Sequence, residues 1–178
     1  MENAKQKVSK SLSFILRHDP QSIGLTLDPA GWARVTDLLK LTGIKRGALE
    51  EVVFNNDKQR FAFSPDGKMI RANQGHSVAG VNLKLQPQTP PEKLYHGTVG
   101  RSLDSIYVNG LQKMARHHVH LSATEGTAQN VGSRRGHPIV LSVDALAMTQ
   151  DGFVFYLSAN GVWLTDHVPK RYLFICVF

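Results

Sequence analysis

The chain has 178 residues, 42% hydrophobic and 20% charged, the composition of a globular protein with one large domain or two small ones. No apolar run is long enough to span a bilayer, residues 1–10 carry no export signal, and the single cysteine, Cys176, excludes an internal disulfide and suits a reducing, cytoplasmic compartment. The net charge of +7 points toward a polyanionic partner, with a basic solvated surface as the plainer alternative.

The positive charge is unevenly spread. Residues 1–86 hold 13 Lys+Arg against 8 Asp+Glu, and the remainder 8 against 6, so the first half is the better candidate for touching nucleic acid. There, Val8, Leu12, Ile15 and Leu16 fall at helical spacing and predict an amphipathic helix over 4–16. Pro20 ends it and leaves Arg17, His18 and Asp19 at its C-terminal edge. A second helix is expected over 37–41, with Thr36 as N-cap and Gly43 as stop, and a third over 46–54. The period then changes: 60–64 and 68–72 flank Pro65-Asp66-Gly67, a β-hairpin signature. Three short helices followed by a hairpin predict a winged-helix lobe over 1–86, a shape commonly used on nucleic acid, although fold alone does not assign function.

Residues 87–92, with three of the chain's prolines, read as a stiff linker. Beyond it, strands are expected at 94–98, 118–122, 139–143, 153–157, 162–165 and 172–178. Helices are expected near 102–108, stopped by Gly110, and near 124–131. The domain over 93–178 is therefore expected to be α+β with a largely antiparallel sheet. Cys176, in the apolar C-terminal run, reads as a buried structural thiol.

Two short motifs stand out, Tyr95-His96-Gly97-Thr98 and Val119-His120-Leu121-Ser122. One strand histidine alone is most simply a satisfied core residue. Two in similar settings favour a pocket for a flat, amide-bearing ligand, with Gly97 admitting it to the backbone and Thr98 and Ser122 supplying hydroxyls. His117, His118 and His120 cluster, but neighbouring strand residues face opposite ways and no cysteine or carboxylate set completes a zinc pattern, so no metal is expected.

With Asn160-Gly161-Val162-Trp163-Leu164-Thr165, these motifs resemble the NAD-binding strands of the ADP-ribosyltransferase fold, in its histidine-histidine-hydrophobic subclass. Further segments are Leu16-Arg17-His18 before Pro20, Gly31-Trp32, Lys58-Gln59-Arg60-Phe61, Ile70-Arg71-Ala72-Asn73-Gln74-Gly75-His76-Ser77 and Val131-Gly132-Ser133-Arg134. The ordered set resembles the RNA 2′-phosphotransferase (tRNA 2′-phosphotransferase) family across nearly the whole chain. The resemblance implies a winged-helix lobe followed by an ADP-ribosyltransferase-like lobe with a split antiparallel sheet.

The implied activity removes an internal 2′-phosphate from RNA, as at a tRNA splice junction, with NAD+ consumed as co-substrate. It runs through an RNA-2′-phospho-ADP-ribose intermediate to nicotinamide, RNA 2′-hydroxyl and ADP-ribose 1″,2″-cyclic phosphate. Carried over by motif, Arg17, His18, Arg71 and Arg134 are catalytic, and His96, Gly97, Thr98, His120, Leu121, Ser122 and Val162 bind the cofactor. Val162 stands where related protein-modifying transferases place a glutamate. Arg135 departs from a histidine common in the family and leaves open whether it shares the role of Arg134.

The chemistry separately calls for these residue types. Guanidinium groups suit phosphate oxygens and the charge of a pentavalent transition state. A phosphate nucleophile is already ionised, so the first step needs no base. The second step moves protons, for which His18 is suited. Arg17 and His18 could instead merely complement a helix dipole, and Trp32 and Trp163 read as packing residues. The expected partners are tRNA-like RNA and NAD+, with no membrane or metal, and a monomer. Alternatives are an ADP-ribosyltransferase acting on a protein or nucleic-acid terminal phosphate, and a non-catalytic RNA-binding module.

Overall fold

The computed structural model of the chain describes residues 4–56 and 58–176. They form two compact units, Met1–Lys84 and Leu85–Phe178, each with its own core.

In the first unit, helix α1 (Ala4–Arg17) buries Leu12, Ile15 and Leu16, the stripe its spacing predicts. Its end is sharp because Asp19 accepts from Ser22 N through Oδ1 (3.0 Å) and Pro20 opens a 3-10 turn, Pro20–Ile23. Strand β1 (Trp32–Arg34) leads into α2 (Val35–Thr42) and α3 (Arg46–Phe54), and the hairpin of β2 (Phe61–Phe63) and β3 (Met69–Ala72) follows. The three strands form an antiparallel sheet in the order β1-β3-β2. Leu12, Leu16, Leu38, Leu49, Phe61 and Ile70 fill the core beneath it.

The third helix and the hairpin form as predicted, but the second helix starts earlier. Arg34, not Thr36, holds the N-cap position and makes no side-chain cap bond. The start is set by β1: Val35 N donates to Lys68 O (2.9 Å), so pairing to the hairpin fixes where strand becomes helix. Gly43 ends α2 in the left-handed region (φ 69°), as expected.

The second unit holds β4 (Lys93–Val99), α4 (Leu103–Asn109), β5 (Leu111–Gln112), β6 (Val119–Leu121), α5 (Glu125–Gly132), β7 (Pro138–Asp144), α6 (Ala145–Gln150), β8 (Tyr156–Leu157), β9 (Trp163–Thr165), β10 (His167–Val168) and β11 (Leu173–Ile175). Strands β11-β7-β4 form one sheet, β6-β9-β8 a second, and β10-β5 a ribbon, all antiparallel. The mixed composition and antiparallel pairing are those of an α+β protein. The two larger sheets meet at one bridge, where Tyr95 and Ser122 exchange backbone hydrogen bonds of 2.9 and 2.8 Å.

Helix α5 lies unusually close to β4. A Cβ on Gly97 would come 1.8 Å from Ala128 O, and one on Gly132 would come 2.9 Å from Thr98 O. The missing side chain at Gly97 therefore admits a helix backbone, where the sequence suggested room for a ligand.

Three expectations need correction. Of the strand expected over 153–157, only Tyr156–Leu157 pairs; Phe155 is buried in the core outside the ladder. The last strand pairs over Leu173–Ile175, and the expectation for residues 177 and 178 lies outside the described residues. Cys176 is only half-buried; partial burial and then the Glu125 carboxylate push its thiol up, which disfavours the reactive thiolate. Among the described residues no helix is long and apolar enough to cross a membrane.

Candidate active site

Arg17 is the last residue of α1, and its burial (9% exposed) is unusual for an arginine. Its guanidinium lies 5.8 Å over the Phe61 ring, and Nη2 faces Arg60 O at 3.5 Å. Gly75, in the left-handed region (φ 87°), comes against the same guanidinium, so a Cβ there would sit 3.6 Å from Nη1.

His18 follows, exposed, with Nδ1 2.9 Å from Ser77 Oγ. Ser77 N also donates to Arg17 O (2.8 Å). One residue thus holds both halves of the Arg17-His18 pair. His18 and Ser77 line an open groove with Pro20, Thr26, Asp28 and Val81.

Arg71 sits on β3, on the opposite strand face from buried Ile70 and Ala72. It pairs across the ladder with Trp32 and lies 4.5 Å over the indole ring. Its Nε is buried with no hydrogen-bond partner. The chain leaving β3 becomes the Asn73–Ser77 segment that clasps Arg17 and His18, so the three residues are joined through one loop. Asn73 anchors that loop, donating Nδ2 to Gln59 O (2.6 Å) and N to Arg60 O (2.9 Å).

In the second unit, His96 and His120 come together where the two sheets part. Beyond the Tyr95–Ser122 bridge the ladder stops, and His96 Nδ1 meets His120 O at 3.1 Å. A carbonyl can only accept, so Nδ1 carries the hydrogen and a neutral ring presents Nε2 as an acceptor. Burial holds the His96 pKa below its ordinary value; the His120 carbonyl opposes this, and the charges of Arg135 and Arg116 add to it. Arg116 is itself pushed down, by desolvation first and by Arg135 second. Two guanidinium groups thus share the field around His96.

The other expected cofactor residues differ in what they expose. Leu121 (1% exposed) and Thr98 (7%) are in the interior, and Ser122 contributes its backbone to the bridge. Val162 begins the approach to β9; its N–H donates to Ser158 Oγ (3.0 Å), which also bonds Val162 O (3.0 Å) and closes the turn at Gly161 (φ 75°). Arg134 and Arg135 are exposed on a 3-10 turn, Ser133–Arg135, that packs against β4. Among the described residues, no three His, Cys, Asp or Glu side chains gather as metal ligands would.

Sequence reasoning gave no role to Ser77 or Arg116 and read Trp32 only as a packing residue. Ser77 and Trp32 lay inside quoted motifs, but their partners are 59 and 39 positions away in the chain, a separation that local pattern does not bridge.

Residues 3–167 match the model of a family described as "RNA 2'-phosphotransferase, Tpt1 / KptA family". A protein from Trichormus variabilis named "Probable RNA 2'-phosphotransferase" is 55% identical over 179 residues, covering 97% of this chain and 98% of its own. Proteins of the same name from Nostoc punctiforme and Flavobacterium johnsoniae are 53% and 52% identical. They cover 94% and 97% of this chain, and the same shares of their own.

Proposed function

Because the chain belongs to the RNA 2'-phosphotransferase, Tpt1 / KptA family, we propose that it removes an internal 2′-phosphate from RNA, with NAD+ consumed as co-substrate. The observation that carries this reading is the extent of the match: it runs through both units and spans Arg17, His18, Arg71 and Arg134. The first unit, with its sheet order β1-β3-β2 and three helices, is read as a winged helix that holds RNA. The second, with two sheets joined at one bridge, is read as an ADP-ribosyltransferase-like unit that holds NAD+.

The residues present fit that dinucleotide. His96 Nε2 is an acceptor for a ribose hydroxyl, and Arg116 and Arg135 offer positive charge to a pyrophosphate beside it. By the resemblance, Val162 stands where related transferases place a glutamate; a valine supplies no carboxylate, which leaves the ribose 2″-hydroxyl for the second step. Bound NAD+ supplies a ribose carbon with a good leaving group, nicotinamide.

The family resemblance assigns Arg17, Arg71 and Arg134 to the RNA 2′-phosphate. One of its oxygens forms the bond to that ribose carbon as the carbon–nicotinamide bond breaks, and no base is required. In the second step the 2″-hydroxyl oxygen bonds to phosphorus while the bond from phosphorus to the RNA 2′-oxygen breaks. One proton leaves the attacking hydroxyl and one arrives at the RNA oxygen. His18 exchanges these protons, and the arginines stabilise the phosphoryl charge.

The test incubates the full chain with a 2′-phosphorylated oligonucleotide and NAD+ and identifies the nucleotide product. ADP-ribose 1″,2″-cyclic phosphate with RNA 2′-hydroxyl is expected. A stable ADP-ribosylated RNA would indicate a transferase that stops after the first step. RNA binding with no nicotinamide release would indicate a non-catalytic module.

A further inference from the structure

We propose that Ser77 is the positioning residue for His18, fixing the imidazole so that Nε2 serves as the atom that exchanges protons in the second step. The inference rests on the acid–base role of His18 proposed above.

The need for such a residue follows from where His18 sits. It is the first residue beyond α1, held on the helix side by one backbone bond, His18 N to Phe14 O (2.9 Å). An exposed imidazole at a helix end has two soft torsions, and the tilted contact of its ring with Phe14, 6.5 Å between centroids, does not distinguish its two nitrogens. Proton transfer needs a heavy-atom geometry held to a few tenths of an ångström. A directional bond to one ring nitrogen does distinguish the two nitrogens, and Ser77 Oγ, 2.9 Å from Nδ1, is placed to make it.

Ser77 is itself held. Its N–H caps Arg17 O (2.8 Å), one of the carbonyls a helix terminus leaves without an intrahelical partner. Gly75 turns the chain against the Arg17 guanidinium. His76 (2% exposed) is buried, its ring so close to Gly31 that a Cβ there would lie 3.2 Å from Nε2. The hydroxyl is therefore presented from an anchored loop, and its bond to His18 transmits that anchoring to the ring.

The choice of a hydroxyl fits the charge of the site. A carboxylate against Nδ1 would orient the ring equally well, but it would add negative charge beside an RNA phosphate. A serine hydroxyl can take either role toward Nδ1; here it is assigned as acceptor of Nδ1–H, which adds no net charge. With Nδ1 keeping its hydrogen throughout, Nε2 takes the proton from the attacking hydroxyl and returns one to the leaving oxygen. In this arrangement Ser77 acts through His18.

The experiment compares wild type, Ser77→Ala, Ser77→Thr, His18→Ala and the Ser77→Ala/His18→Ala double variant in single turnover with 2′-phosphorylated RNA and NAD+. Ser77→Ala keeps the backbone bond to Arg17, so the loop stays in place. It is expected to slow the second step roughly 10-fold to 100-fold and to accumulate the RNA-phospho-ADP-ribose species. KM for both substrates and the melting temperature should stay near wild type. Ser77→Thr restores the rate, and in the double variant Ser77→Ala adds nothing to His18→Ala. Nitrogen chemical shifts of His18 should show the Nδ1–H form in wild type and a tautomer mixture in Ser77→Ala.

If His18→Ala stalls at the second step while Ser77→Ala does not, the positioning role is refuted and the acid–base reading stands. If His18→Ala shows a normal second step, that reading fails and the proposal fails with it. Equal slowing of both steps in Ser77→Ala, with a lowered melting temperature and no rescue by threonine, would assign Ser77 a purely structural role.

Discussion

Arg71 and Trp32 face each other across the β1–β3 ladder, the guanidinium 4.5 Å over the indole ring. The stack covers one face of a group whose Nε is buried and unbonded, which restricts how its remaining donors can point. Cation–π contacts of this kind contribute about 0.5–2 kcal/mol. If Arg71 grips the RNA phosphate, Trp32→Ala should therefore lower kcat/KM roughly 2-fold to 30-fold. Trp32→Phe should retain most of the rate, because a phenyl face still offers the contact. Steady-state kinetics of the two variants, with circular dichroism to confirm folding, checks this; equal losses in both would mean that Trp32 only packs.

Gly97 sets how closely α5 approaches β4. The Cβ of Gly97→Ala would be driven 1.8 Å from Ala128 O, a backbone atom that cannot swing aside, so the helix must lift from the sheet. Overpacking of this kind costs about 1–3 kcal/mol and sometimes more. The urea midpoint should fall accordingly. Gly132→Ala, with a 2.9 Å approach to Thr98 O, should lower it less. Unchanged midpoints in both would show that the close approach is not needed.

Much of this architecture is readable from local pattern. The stripe Leu12, Ile15, Leu16 marks α1, Pro65-Asp66-Gly67 marks the hairpin, and the two histidine motifs fall on strands. What is missed is held by distant partners. Trp32-Ala33-Arg34 is too short to show a strand period and becomes a strand by pairing with β3. The two-residue strands β5 and β10 exist only through each other. Helix α6 carried a usable signal, Asp144 accepting from Ala147 N (2.9 Å) as an N-cap, but with six residues it shows no periodicity. The site residues proposed here came from the family resemblance, to which phosphate chemistry adds a reason for arginines. The Ser77 clasp and the fork at His96 were not legible, because both depend on tertiary contacts.

The depressed pKa of His96 gives a pH dependence of definite sign. Burial first, then Arg135 and Arg116, keep the ring neutral in the folded protein, while the unfolded chain titrates near 6.5. Below that value the unfolded state binds more protons than the folded one, so stability present above about pH 6.5 is lost as pH falls through the folded pKa. His118, also depressed by burial, contributes in the same direction. The melting temperature should drop as pH falls below about 6.5. His96→Asn should flatten the slope in part, and His96→Asn/His118→Asn further. The asparagine amide introduced by His96→Asn can still donate to His120 O, so a wild-type slope in these variants would exclude the two histidines as its source.

The adjacent arginines Arg134 and Arg135 should separate by kinetic signature. It is Arg135 whose charge acts on both His96 and Arg116, which places its influence at the proposed dinucleotide pocket. Arg135→Ala removes positive charge meant for the pyrophosphate and should raise KM for NAD+ roughly 10-fold to 100-fold, the loss of a hydrogen bond to a charged group, with a smaller effect on kcat. It should also relax the depression of the His96 pKa, moving the acid limb of the NAD+ binding profile to higher pH. Arg134→Ala, by contrast, should lower kcat with little change in KM for NAD+ or in that limb. Steady-state kinetics at several pH values reads both quantities. The reverse pattern would transfer the phosphate-gripping role to Arg135.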